Sequence, residues 1–161
     1  MTDNDNASVL VLGIGNILRR DEGVGVRVIE ALRDEDVPDD VELFDGGTFG
    51  AELIDVIADR AGVIVIDAIE HEGAPGSVFR FSGDDLAAHA SASLSVHEIG
   101  LLDTLRMAKQ LGCSPKEVLV LGVVPEDVGP GLELTPAVAK QVPKIVERVL
   151  EELKAYCGSS D

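Results

Sequence analysis

Three nearly unbroken apolar runs, SVLVLGI at 8–14, VIVI at 63–66 and EVLVLGVV at 117–124, constrain this chain more than any other feature of its sequence. A strand with one wet face alternates apolar and polar residues, whereas a run without polar gaps marks a strand covered on both faces, as in a parallel sheet between helices. The intervening stretches supply those helices. From 23 to 33, Val24, Val28, Ala31 and Leu32 recur at helical spacing, and 51–60 repeats the period with Leu53, Ile54, Ile57 and Ala58. Residues 41–44 read as a further strand, and 77–81 as a short edge strand following the turn-forming HEGAPG at 71–76, where the winding is expected to change direction.

Ser95 stands three residues before Glu98, a capping-box spacing that starts a helix running to about 111 and makes His97 a first-turn residue. A final helix over 135–156 is entered through Pro136 and bent or restarted at Pro143. Strand and helix alternate, so the expected class is α/β, doubly wound. With 161 residues, 45% of them hydrophobic, one well-buried domain over 1–161 is expected, its acidic residues 1–7 forming a disordered tail.

The chain carries 30 acidic against 13 basic residues, a formal charge of -17. Such a balance repels phosphate backbones and anionic lipid, which excludes nucleic acid and membrane surfaces as partners. The opening MTDNDNA is acidic where a signal peptide is basic and then apolar, and no apolar run reaches the roughly 18 residues of a membrane span, so a cytoplasmic protein is expected. Cys113 and Cys157 lie far apart with no CxxC partner, the pattern of reduced thiols rather than of a disulfide or zinc framework.

Gly13-Ile14-Gly15-Asn16 supplies two glycines of a dinucleotide fingerprint, and Asp45 ends the second strand where a ribose-binding acid would lie. Leu18 occupies the third glycine position, however, and Asp21 and Glu22 at the helix start would compete with a pyrophosphate for the same positive dipole end. Acids there are also ordinary helix-start chemistry, which is the reading favoured for Asp21. Glu22 differs in its company. In a doubly wound sheet the loops after the first and third strands flank the switch-point crevice, and Asp67 directly follows VIVI.

A carboxylate leaving a buried strand needs a cation, a cap or a hydrogen-bond donor. His97 at a helix N-terminus is biased toward the neutral ring that a metal requires, although a surface or satisfied core histidine is the plain alternative. Glu22, Asp67 and His97 therefore form a candidate divalent-metal site with open coordination positions. His71 and His89 have no acidic partner at ligand spacing. There is no G-x-S-x-G elbow and no H-E-x-x-H helix, and Asp45-Gly46-Gly47-Thr48 is not an aspartic-protease triplet. That segment does place a flexible loop and another carboxylate beside the crevice, suited to close approach by a peptide.

Taken in order, VLGIGNILRRDEGVG (11–25), DGGTFGAEL (45–53), VIVIDAI (63–69), APGSV (74–78), SVHEIGLLD (95–103), LGVVPE and LELTP resemble the maturation endopeptidases of nickel-iron hydrogenases across roughly residues 9–150. The resemblance implies a three-layer α/β/α sandwich around a twisted, mostly parallel five-stranded sheet. It also implies that Glu22, Asp67 and His97 are the metal-contacting and catalytic positions, with Asp45, Gly46, Gly47 and Thr48 as candidates to line the path of the substrate peptide. The implied reaction removes the C-terminal extension from the precursor of a hydrogenase large subunit after nickel insertion. Nickel would then arrive with the substrate, and zinc or cadmium could take its place in the isolated protein. A monomer rather than an obligate oligomer is expected. The Arg19-Arg20 pair and the very acidic surface depart from the commoner family pattern and bear on which precursor docks. A nucleotide-binding α/β enzyme and a non-catalytic binding module stand as alternatives.

Overall fold

The computed structural model describes residues 8–47, 53–85 and 96–157, the side chains of 96–99 and of Cys157 excepted. The expected tail at 1–7 and Thr48 lie outside the described residues, as do His89, Ser95 and the side chains of His97 and Glu98.

Strand β1 (Val9–Ile14) leads through a short 3-10 turn (Arg20–Gly23) into helix α1 (Val24–Leu32), and strand β2 (Val41–Gly47) follows. Helix α2 (Leu53–Ile57), strand β3 (Gly62–Ala68) and strand β4 (Val78–Ser82) come next. Helix α3 (Val96–Leu111), strand β5 (Val118–Val123), a one-turn helix α4 (Pro136–Ala139) and helix α5 (Val142–Cys157) complete the described chain. The five strands form one sheet in the order β2-β1-β3-β5-β4, parallel except for β4, which runs antiparallel along the edge of β5.

The apolar runs behave as their composition demands. On β1, Val9 and Val11 enter one core cluster with Val28 and Ile29 of α1 and Ile145 and Val149 of α5, while Leu10, Leu12 and Ile14 enter a second with Leu53 and Ile57 of α2 and Leu101 and Leu102 of α3. Alternate residues of β3 divide in the same way, Ile64 and Ile66 to the first cluster and Val63 and Val65 to the second. This period of two puts helices on both faces of the sheet and gives the three layers. Each of these side chains is almost wholly buried, worth about 1.5–3 kcal/mol apiece relative to exposure.

Two expected boundaries move. The second helix ends at Ile57 instead of near 60, because Asp59 takes a left-handed φ of 59° and its amide turns away to Cys113 O at 2.9 Å. The second strand extends past 44 to Gly47, because the ladder continues through Gly13 and Asp45, a bulge at Ile14 re-registers it on Gly47, and Gly47 O accepts from Gly15 N at 3.0 Å. Asp45, Gly46 and Gly47 are thus the end of a strand, not a flexible loop.

Close helix-to-sheet contact at Gly25 fixes where the turn before α1 sits. A methyl group there would collide with Ile66 O of β3 and would lie 2.6 Å from Ile14 O and 2.8 Å from Ile14 N of β1. Backbone atoms of paired strands cannot give way, so only glycine lets α1 bridge the ends of both strands. Gly25→Ala is expected to lower stability by about 2 kcal/mol, measurable by denaturant unfolding, since overpacking of this kind must shift backbone. An unchanged midpoint would mean that α1 rides higher on the sheet.

Candidate active site

All the parallel strands end at one edge of the sheet. From β1 the chain winds outward to β2 and then back to β3 on the other side, so the switch point falls between the C-terminal ends of β1 and β3. Around that point the sequence places its unusual polar groups.

Glu22 lies in the turn that packs against β3, one turn ahead of Gly25, and its side chain keeps 20% of its exposure. Gly15, with φ +133°, fits against the Glu22 backbone, 3.0 Å separating the Glu22 carbonyl carbon from where a Cβ would stand, and this close approach sets the height of the turn above β1. The Arg19 guanidinium reaches Glu22 Oε2 at 3.8 Å. Asp67 is the penultimate residue of β3, pairs in register with Gly122 of β5, and is 3% exposed. Strand alternation places it on the face of Val63 and Val65, the face covered by α2 and α3. The turn that bears Glu22 thus packs against β3, the strand that carries Asp67 near its C-terminal end.

His97 is the second residue of α3, and its side chain lies outside the described residues. Its place along the helix still carries information. The C-terminal end of α3 sits at the opposite edge of the sheet, where Cys113 O accepts from Asp59 N beside the start of β3. A helix of 16 residues spans about 24 Å, so its first turn stands that far along the helix axis from the Cys113 edge. Leu101, one turn on from His97, joins the cluster on the face of Val63 and Val65. Among the described residues no three His, Cys, Asp or Glu side chains are grouped as a metal site.

At the same edge, exposed Asp45 folds its Oδ1 back to accept from Gly47 N at 2.9 Å, which stiffens the end of β2 beside the crevice. The amides of Gly15, Leu18, Arg19, Arg20, Asp21 and Glu22 all donate to protein acceptors, so the glycine-bearing loop offers no row of open amides to a pyrophosphate. His71, set aside in the sequence, stacks on Phe79 with ring centroids 3.9 Å apart and serves packing on the edge strand.

Asp21 does something that helix-start chemistry does not cover. Its side chain is fully buried, and Oδ2 accepts from Glu126 N at 2.8 Å, Asp127 N at 3.1 Å and Thr135 Oγ1 at 2.8 Å, while Oδ1 accepts from Thr135 N at 2.8 Å. It ties the turn that bears Glu22 to the loop between β5 and α4. Burial, the largest single influence, pushes its pKa up, but the hydrogen bonds from Thr135, Glu126 and Asp127 together hold it below the ordinary 3.8. The signal for this in the sequence was the presence of LGVVPE and LELTP among the ordered motifs, since those segments supply every donor except the amide of Asp127, the residue next after LGVVPE.

Comparison with known proteins gives the family. The profile of the hydrogenase maturation protease family matches residues 26–152. The hydrogenase 2 maturation protease of Escherichia coli K12 is 40% identical over 148 residues, covering 91% of this chain and 90% of that protein. The solved structure of the hydrogenase maturating endopeptidase HybD from E. coli superposes with a TM-score of 0.87 at 39% identity, over 92% of this chain and 93% of that one. A solution structure of an endopeptidase from E. coli gives a TM-score of 0.86 at 38% identity, over the same shares. These relatives are named as proteases and endopeptidases, which answers the alternative of a non-catalytic binding module: the chain belongs to the hydrogenase maturation protease family and is a peptidase.

Proposed function

We propose that this peptidase removes the C-terminal extension from the nickel-loaded precursor of a nickel-iron hydrogenase large subunit, and that Glu22, Asp67 and His97 engage nickel that the substrate brings. What supports the reading is that the turn bearing Glu22 packs against β3, which carries Asp67 at its C-terminal end beside the switch point, in a chain of this family. Two carboxylates and one imidazole form a mixed oxygen and nitrogen set with positions left open, weak as a permanent cage and suited to a metal already held by another protein. Zinc or cadmium can occupy such a set when the substrate is absent.

Substrate nickel seated on these side chains fixes the precursor's C-terminal segment along Asp45, Gly46, Gly47 and Thr48, where the stiffened end of β2 and its glycines allow a peptide to come close to the backbone. The scissile carbonyl is then held at one place for attack by water, and recognition of the metal becomes the condition for cleavage. Glu22, partly exposed at the rim, and Asp67, buried at the floor, divide the work of meeting a cation that enters from solvent.

The test is to mix the protein with precursor prepared with and without nickel and to follow the size shift on a gel. Shortening of the loaded form alone is expected; equal shortening of both would remove nickel from recognition. Millimolar NAD or ATP should leave the thermal midpoint where it was, since a ligand that binds the folded state raises it by mass action.

A further inference from the structure

Beside Glu22 two loops close on one another and lift two leucines into solvent. Gly131 N donates to Leu18 O at 2.9 Å and Arg20 N donates to Gly131 O at 3.0 Å, so Leu18 and Leu132 stand on adjoining backbone. Leu18 is 59% exposed and Leu132 62%, two of the four large hydrophobic side chains exposed among the described residues. Single exposed leucines are ordinary, but a pair held side by side is not what a solvated loop tip needs.

The mounting is stiff. Arg27 Nη2 donates to Leu132 O at 2.8 Å, Arg19 Nε donates to Val128 O at 3.0 Å, and buried Asp21 anchors both loops from beneath. A surface held in advance loses little freedom on docking. Arg19 and Arg20 follow Leu18 with half-exposed guanidinium groups, each held in an ion pair, with Glu22 at 3.8 Å and Asp127 at 3.7 Å.

We infer that Leu18 and Leu132 form a docking lip for the folded body of the precursor, received by an apolar patch on that partner. The inference rests on the proposed function. A macromolecular substrate whose metal reaches Glu22 covers about 800 Å² of each partner, a disc of roughly 16 Å radius. Leu18, four residues from Glu22, lies no more than about 14 Å away along the chain, so it falls inside that footprint.

Steady-state processing of nickel-loaded precursor by Leu18→Asp, Leu132→Asp and the double variant tests the lip, with Leu18→Gln/Leu132→Gln as a neutral pair that separates lost apolar contact from added charge. KM is expected to rise about tenfold or more in the double variants with kcat and thermal midpoint unchanged, and Met107→Asp, exposed on α3, should leave KM alone. Wild-type KM in both double variants would overturn the lip while leaving the proposed function standing. Failure of the wild-type protein to shorten the precursor would overturn the proposed function and remove this occupant with it.

Discussion

Asp67→Asn is expected to lower the rate of precursor processing at least roughly 100-fold, the scale on which losing one preorganised electrostatic group slows a chemical step, while leaving the thermal midpoint unchanged or raised. The two halves of that outcome have different causes. Asparagine keeps the shape of the side chain and removes its charge, and at 3% exposure an amide is less costly to hold than a carboxylate. A carboxylate held at 3% exposure at the end of a parallel strand, above valine and isoleucine, carries a desolvation cost that an amide does not. If Asp67 instead served as a cap or an internal hydrogen-bond acceptor, the same substitution would lower the midpoint and spare the activity. Measuring both quantities on one preparation separates these cases, and full processing by Asp67→Asn would end its assignment to the site.

How much of this was legible in the sequence depended on whether the deciding interactions were local. Strands β1, β3 and β5 were readable because burial on both faces leaves an unbroken apolar run, and no nearby residue contradicts it. Strand β4 was readable as an edge from its short alternation, and it does lie outermost and antiparallel. The last helix breaks where Pro143 suggested, α4 ending at Ala139 and α5 starting at Val142. The end of β2 was not legible, because Asp45-Gly46-Gly47 is turn chemistry by composition and is kept in the sheet by Gly15, which sits 32 residues earlier. Glu22 and Asp67 were assigned to one crevice from the expected strand order, and the observed order puts the turn of Glu22 against β3, the strand that carries Asp67. The work of Asp21 could not be seen, because its donors lie 105 to 114 residues along the chain.

Asp21→Ala should accordingly be among the most damaging single changes to stability, about 3–5 kcal/mol by denaturant unfolding. Alanine leaves the amides of Glu126, Asp127 and Thr135 and the Thr135 hydroxyl without their acceptor at a site closed to water. Asp21→Asn should cost less, about 2 kcal/mol, since the amide oxygen can take the place of Oδ2 and only Thr135 N is then left facing an NH2 group. The dependence on acidity follows from the direction of the shift. A carboxyl whose folded pKa lies below 3.8 contributes stability that is fully present above that value and is lost as pH falls through the lower, folded value. The gap between wild type and Asp21→Asn should therefore stay constant from pH 5 to pH 8 and narrow only below about 3.8. Processing should fall with Asp21→Ala even at temperatures where the protein remains folded, because the same carboxylate that holds the 126–135 loop also holds the turn bearing Glu22, and the docking lip is built from both. A variant that kept its midpoint within about 0.5 kcal/mol of wild type, or that lost stability equally at every pH, would show that the two loops are held by something other than this one buried charge.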